Sequence, residues 1–173
     1  SQEERGQMLY LKPDMASLTL SSLNFNRTAS VNSPDMVKSL AKCMLDNGIK
    51  PELEVFDIGM INYWHYLISK GLLKPPYYVN LLLGNIACAQ ADLINVGLML
   101  RELPKDTHWS LAGIGNYQLQ MNSLGIVWGG GVRVGLEDNI FLDPPTRKVL
   151  ATNTQMVERV VNLAKEYGRE IAT

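Results

Sequence analysis

The sequence predicts an α/β chain, a parallel sheet with crossover helices built from five successive βα units. Three observations predict it. Short β-rich runs alternate with stretches of helical period. Helix start and stop signals separate those runs, Ser33 with Pro34 and Asn47 with Gly48 being the clearest. The run Tyr77–Leu83 is apolar almost throughout, as in strands buried in parallel sheets.

Taken in order, residues 15–20 read as a strand after Pro13. Ser33 is a plausible N-cap with Pro34 at the first helical position, and Met36, Val37, Leu40, Cys43, Met44 and Leu45 supply the apolar stripe of the helix that follows. Residues 52–56 form the next strand, with Leu53 and Val55 on one face and Glu52, Glu54 and Phe56 on the other. Residues 59–69 are helical. Pro75 and Pro76 break the chain before the strand Tyr77–Leu83. A helix over 87–103 closes at Pro104, a strand covers 108–114, and a short helix spans about 117–125. Gly129, Gly130 and Gly131 lead into the last strand, 132–136, where close packing is their expected role. A polar loop follows, then a closing helix over 153–167 with Gly168 as its stop. A complete eight-unit barrel needs about 250 residues; five units match its last five. From pattern alone the other solution is a five-stranded doubly wound sheet of flavodoxin type.

One domain without linker is expected for 173 residues, with an apolar fraction of 46% and a charged fraction of 19%. A net charge of -1 and scattered basic residues argue against a nucleic-acid or anionic-membrane partner. The apolar runs are too short to span a bilayer, and the charged residues 1–6 do not read as a signal peptide. Cys43 and Cys88 are expected to be buried thiols. These features lead to the expectation of a soluble cytoplasmic protein.

The densest chemical cluster is the run from Arg133 to Asn139. It places Glu137 and Asp138 at the C-terminal end of the last strand, the end where parallel α/β folds put their chemistry. One carboxylate can bind a metal, one can take a proton, and the guanidinium can hold an anion or tune the base. A solvated loop with Arg133 paired to a neighbour accounts for the same residues equally well. Glu52, Glu54 and Asp57 form a second group; the first two would point into a barrel, where carboxylates must be paired or functional, and a salt bridge to Arg133 is the plain structural solution. Ser17, Thr19 and Ser21 share one face of the first strand, where hydroxyls can hold a carboxylate or phosphate; for Ser21 and Ser22 a hydrogen-bonded turn is favoured. Gly113 and Gly115 could offer amides to an anion such as a CoA phosphate, although an ordinary tight turn explains them too. His65 and His108 have no partner at metal-ligand spacing. Met44, Met60, Met99 and Met156 are most simply core.

Several of these runs carry a resemblance. The segment from Pro13 to Thr19, the run Ser22 to Phe25, the stretch Gly48 to Asp57, the motif GVRVGLEDN ending at Asn139, and the closing residues 153–173 resemble, in order, the β-keto acid cleavage enzymes, the group that includes 3-keto-5-aminohexanoate cleavage enzyme. The resemblance implies a (β/α)8 TIM barrel of which residues 1–173 are the C-terminal part, beginning at the fourth strand. It implies one zinc ion held by an HxH pair from an earlier strand and by Glu137. It gives Asp138 the role of general base and Arg133 that of orienting the base and stabilising charge, with Thr19 and Glu54 in substrate-contacting segments. The implied partners are a small-molecule β-keto acid and acetyl-CoA, in a homo-oligomer for which a tetramer is favoured. Two departures from the family pattern stand out. The HxH pair is absent, and residues 84–91 lack paired glycines while Asn116 occupies a commonly basic position. Two other functions remain open beside the enzyme: a non-catalytic barrel relative that oligomerises through its sheet edges, and a phosphate-binding isomerase or aldolase using Gly113 and Gly115.

Overall fold

A computed structural model describes residues 6–144 and 146–172. The charged N-terminal run read as no signal peptide lies outside the described residues except for Gly6, as does Thr173 of the closing segment.

Five strands form one parallel sheet: β1 (Met15–Thr19), β4 (Lys50–Val55), β5 (Tyr77–Leu83), β6 (Thr107–Gly113) and β7 (Gly131–Val132). Their spatial order is β1-β4-β5-β6-β7, so each strand lies beside the one before it in the chain. That order is the barrel's. A flavodoxin-type sheet reverses direction at an internal switch point, and none occurs here. The sheet is open, with β1 and β7 at its edges. Five helices follow the strands: α1 (Pro34–Asp46), α2 (Ile58–Ser69), α3 (Leu93–Arg101), α4 (Gln118–Val127) and α5 (Asn153–Glu166). No helix among the described residues is long and apolar enough to cross a membrane.

Local chemistry sets the helix starts. The Ser33 side chain accepts from the Met36 amide with Pro34 at the first turn, as expected. Asp57 caps α2 and Asp92 caps α3 in the same way. Thr152 and Gln155 form a reciprocal capping box at the start of α5.

The sheet has two unlike faces. Leu18, Leu53, Val55, Val79, Leu81, Leu83 and Leu111 are at most 2% exposed and join Val37, Met44, Met60, Trp64 and Met99 of the helices in one core. In register across the strands, the opposite face carries Ser17 beside Glu52 beside Tyr78, and Thr19 beside Glu54 beside Asn80 beside Ser110. It is tied together by hydrogen bonds: Ser17 donates to Glu52 (2.9 Å), Asn80 also donates to Glu52, and Tyr78 and Ser110 share a bond (3.0 Å). This polar face is the concave one, and its upper end forms the site.

The boundaries differ from expectation where side chains compete with the backbone. The helix expected over 87–103 is confined to Leu93–Arg101. Upstream, Gly84 adopts a positive φ of 86°, the Asn85 carbonyl oxygen of the side chain accepts from the Ile86 amide, and Gln90 donates to the backbone oxygens of Asn85 and Cys88. These local bonds hold a loop in place of a helical turn. The last strand, expected over 132–136, pairs only at Gly131–Val132, because the chain turns where the Asp138 and Asn139 amides both donate to the Gly135 oxygen. The strand expected at 52–56 begins two residues earlier, at Lys50. A short hairpin absent from the sequence reading, β2 (Leu23–Asn24) and β3 (Ala29–Ser30), stands in the loop after β1. Cys43 and Cys88 are free thiols and are half-buried, less enclosed than expected. Close packing explains Gly130, where a Cβ would meet the Trp109 ring at 2.0 Å.

Leu81 sits at the centre of the helix-facing layer with no exposure. Leu81→Ala is expected to cost about 3 kcal/mol, read as a lower urea midpoint with an unchanged denaturant slope.

Candidate active site

The upper end of the concave face collects charges from three elements. Arg133 follows β7 directly, and its amide still donates to the Leu111 oxygen of β6 at 3.1 Å, so its stem leaves the sheet at a fixed height. The guanidinium then meets three carboxylates. Nη1 donates to Glu54 Oε1 at 2.7 Å, Nη2 to Glu137 Oε2 at 2.9 Å, and Nε to Asp138 Oδ2 at 3.1 Å. A longer contact from Nη2 to Asp138 Oδ1 at 3.4 Å makes the Asp138 pair two-pronged. Glu54 also accepts from the Thr19 hydroxyl at 2.6 Å.

Burial distinguishes the three acids. The side chains of Arg133 and Glu54 are each 17% exposed, Asp138 only 4%, and Glu137 83%. Burial is the largest influence on Asp138 and lifts its carboxyl above the usual 3.8, although Arg133 pulls the other way. For Arg133 burial opposes the charge, but Asp138 and Glu54 outweigh it and hold the guanidinium above its ordinary value. Asp138 is thus a buried carboxyl, oriented by a fixed cation and displaced toward neutral pH, as a general base requires.

The turn bearing Glu137 and Asp138 is held from behind. Gln118 of α4 donates to the Gly135 oxygen at 2.8 Å, and Asn122 donates to the Leu111 and Arg133 oxygens at 3.2 and 2.8 Å. The Gly115 amide donates to the Asp138 backbone oxygen at 2.7 Å. That bond commits the amide that the CoA-phosphate reading needs. At Gly113 a Cβ would meet the Tyr117 oxygen at 2.2 Å, so the absence of a side chain there is a packing requirement.

These groups border a cavity of about 260 Å³. Thr19, Ser30, Glu54, Arg133, Glu137 and Asp138 form its polar side, and Leu23, Phe25, Phe56, Leu82 and Ile114 its apolar side.

Five of the residues singled out in the sequence therefore converge: Thr19, Glu54, Arg133, Glu137 and Asp138. Ser17 does not. It lies one layer deeper, bonded to Glu52. Asp57 is a helix cap, and Ser21 and Ser22 belong to a turn in which the Asn32 side chain and amide donate to the Ser21 oxygen and the Ser22 hydroxyl, as favoured. His65 contacts the Glu102 oxygen, and His108 lies near the start of β6, at the far end of the sheet. Gln118 and Asn122 were not anticipated. Their i, i+4 spacing placed two amides on one face of a helix, a signal that was there to be read.

A metal ion fits these residues only in part. Among the described residues no three His, Cys, Asp or Glu side chains are grouped to hold one. Glu137, exposed and anchored through one oxygen, can serve as a single ligand. Three carboxylates around one guanidinium also leave the cluster with excess negative charge, which favours a cation beside it.

Geometry and topology define a (β/α)-barrel-type chain with a guanidinium–carboxylate site at the C-terminal ends of its strands. A family model described as beta-keto acid cleavage enzyme matches residues 1–173, and the chain belongs to that family. It is 42% identical over 173 residues to a 3-keto-5-aminohexanoate cleavage enzyme of Fusobacterium nucleatum subsp. nucleatum, covering 98% of this chain and 61% of that protein. It is 39% identical over 173 residues to a 3-oxoadipate:acetyl-CoA acetyltransferase of Cupriavidus necator, covering 98% and 60%. The apo structure of ObcA shares the fold, with a TM-score of 0.73 at 20% identity over 93% of this chain and 42% of that one. The chain thus spans about three fifths of the length of the curated relatives it matches.

Removing the guanidinium leaves two buried carboxylates without their counter-charge. Arg133→Gln is expected to lower stability by about 3 kcal/mol in chemical denaturation. It also removes the influence that lowers the Asp138 pKa. A pH titration of the Asp138 carboxyl, followed by isotope-edited infrared or NMR, should have its midpoint above 3.8 in the wild type and further up in the variant.

Proposed function

We propose that the protein is a zinc-dependent β-keto acid cleavage enzyme, condensing a β-keto acid with acetyl-CoA to give acetoacetate and a new acyl-CoA. The observation that carries this reading is the buried Asp138 carboxyl gripped by Arg133 beside the exposed Glu137. The names of the relatives support the reaction class: they describe a β-keto acid cleavage enzyme and an acetyl-CoA acetyltransferase.

In this reading Asp138 takes a proton from the carbon between the keto and carboxylate groups onto a carboxylate oxygen. Its raised pKa strengthens it as a base. Arg133 keeps that carboxyl oriented and balances the charge as the proton moves. Glu54 fixes Arg133 from the far side, and Thr19, bonded to Glu54, presents its hydroxyl toward the substrate. Ser17 supports this layer from below through Glu52. Glu137 is one metal ligand, with histidines from elsewhere in the barrel completing the set. Zinc, when bound, supplies Lewis-acid polarisation of the keto oxygen. Gly113 and Gly115 support the turn that carries Asp138, by close packing and by the Gly115 amide bond to its carbonyl, and are not assigned to acetyl-CoA. Residues 1–173 form the C-terminal part of a single barrel domain. A cytoplasmic location and a homo-tetramer belong to the same reading.

Two substitutions test the roles in the complete protein. Asp138→Asn is expected to lower kcat by about 10²–10⁴ with zinc content unchanged; full activity would remove Asp138 from the base role. Glu137→Gln is expected to lower zinc retention on dialysis against a chelator, measured by elemental analysis; unchanged retention would remove it as a ligand.

A further inference from the structure

β7 pairs with β6 only through Val132, and the Arg133 amide then bonds to the Leu111 oxygen at 3.1 Å. Beyond that point one segment, residues 115–122, grips the chain at three main-chain oxygens. The Asn122 side-chain amide donates to the Arg133 oxygen at 2.8 Å, Gln118 donates to the Gly135 oxygen at 2.8 Å, and the Gly115 amide donates to the Asp138 oxygen at 2.7 Å. Further along α4, a Cβ on Gly125 would meet the Gly131 oxygen at 2.6 Å, so the helix lies directly against the start of β7. The two side-chain donors are therefore carried at a fixed distance from the strand that delivers Arg133. Both residues are 0% exposed.

We propose that Gln118 and Asn122 are positioning residues for the reaction, holding the turn so that the Asp138 carboxylate faces the substrate carbon while it stays bonded to Arg133. The inference rests on the reading of Asp138 as the base. Two observations separate it from a purely structural role. First, the Gly135 oxygen already accepts from the Asp138 and Asn139 amides, each at 3.3 Å, and two donors are what the lone pairs of a carbonyl accommodate. Gln118 is a third donor that this oxygen does not need. Second, the side-chain oxygens of Gln118 and Asn122 are buried without a hydrogen-bond partner among the described residues. Both are sealed from solvent by this chain alone, so other parts of a complete barrel do not reach them. An amide oxygen buried unpaired costs more than a single bond from its nitrogen contributes. For folding alone, a methionine of similar length would serve at position 118 at least as well.

Asn85 makes the contrast. It is 3% exposed and donates its side-chain amide to the Asn24 oxygen of the hairpin at 3.1 Å, while its own side-chain oxygen accepts from the Ile86 amide at 2.7 Å. Both ends of that amide are used. Gln118 and Asn122 use the donating end only, and both aim it at the turn between Arg133 and Asp138.

The test uses Gln118→Met and Asn122→Leu in the complete zinc-loaded protein, with acetyl-CoA and the keto acids named for two relatives, 3-keto-5-aminohexanoate and 3-oxoadipate. In each variant kcat is expected to fall about tenfold or more, with both KM values within about threefold of the wild type. The urea midpoint of Gln118→Met should equal or exceed that of the wild type. In the Asp138→Asn background, Gln118→Met should cause no further fall in kcat, because it acts through that carboxylate. Where the residual rate is too low to compare, water exchange of the Arg133 Nε–H proton by NMR decides: faster exchange in Gln118→Met supports the proposal, and the wild-type rate overturns it. Wild-type kcat in Gln118→Met also overturns it, as does a loss that keeps its full size in the Asp138→Asn background. If Asn122→Leu does not fold, Gln118→Met decides alone. An inactive Asp138→Asn beside a fully active Gln118→Met refutes this inference and leaves the base in place. Full activity in Asp138→Asn, or a zinc-loaded wild type that turns over neither acid, refutes the functional reading and this inference with it.

Discussion

Arg133 carries one positive charge into a group of three carboxylates, and each contact constrains a different part of the molecule. Glu137 and Asp138 lie in the turn just beyond it, but Glu54 belongs to β4, three strand positions away. Neighbouring strands are about 4.8 Å apart, so three steps along a flat sheet measure about 14 Å. Strand side chains stand roughly perpendicular to the sheet, so the two stems would have to lie flat and fully extended to close that gap. The 2.7 Å contact exists because the sheet curls and brings β4, its second strand, toward the end of β7, its last, across the concave face. The ion pair is therefore both a product of barrel curvature and a restraint that maintains it. A flat doubly wound arrangement of the same strands would leave Glu54 without its charged partner, bonded to Thr19 alone.

Much of this was legible in the sequence, for identifiable reasons. The alternation of Leu53 and Val55 with Glu52 and Glu54 gave the faces of β4 correctly, because a strand's period of two survives in a single run. The run Arg133 to Asp138 announced its site through charge density at the end of a strand. The choice between barrel and doubly wound sheet did not lie in local pattern, since both use the same βα unit; strand order decided it. The hairpin Leu23–Ser30 escaped notice because two-residue strands are shorter than any periodicity window. The long helix expected before Pro104 lost its first turns to Asn85 and Gln90, whose side chains outcompete the backbone locally. The apolar side of the cavity did not show in the sequence for another reason: its members come from four separated segments, each ordinary in its own context.

The site divides its labour between elements of different rigidity. The charged half hangs on β4, the end of β7 and the turn braced by Gln118 and Asn122, all fastened by backbone or buried amide bonds. Gly115 adds a bond from the opposite side to the Asp138 carbonyl. For the proposed role of Asp138 as a base this bracing matters, because a small displacement of a reacting group costs far more than the loss of one contact. The apolar half depends in part on the hairpin, a surface element with fewer ties.

The tie between Asn85 and the hairpin has an implication for how such a protein can diversify. Asn85 grips the main-chain oxygen of residue 24, not a side chain. The anchor is therefore indifferent to what residues 23 to 28 are, provided the turn still forms. A lineage can exchange the side chains of the hairpin while the loop stays docked and the charge network around Arg133 is untouched. The hairpin tip and the charged cluster become separately heritable, and a new tip surface needs only one or two codon changes on a loop that is already in place.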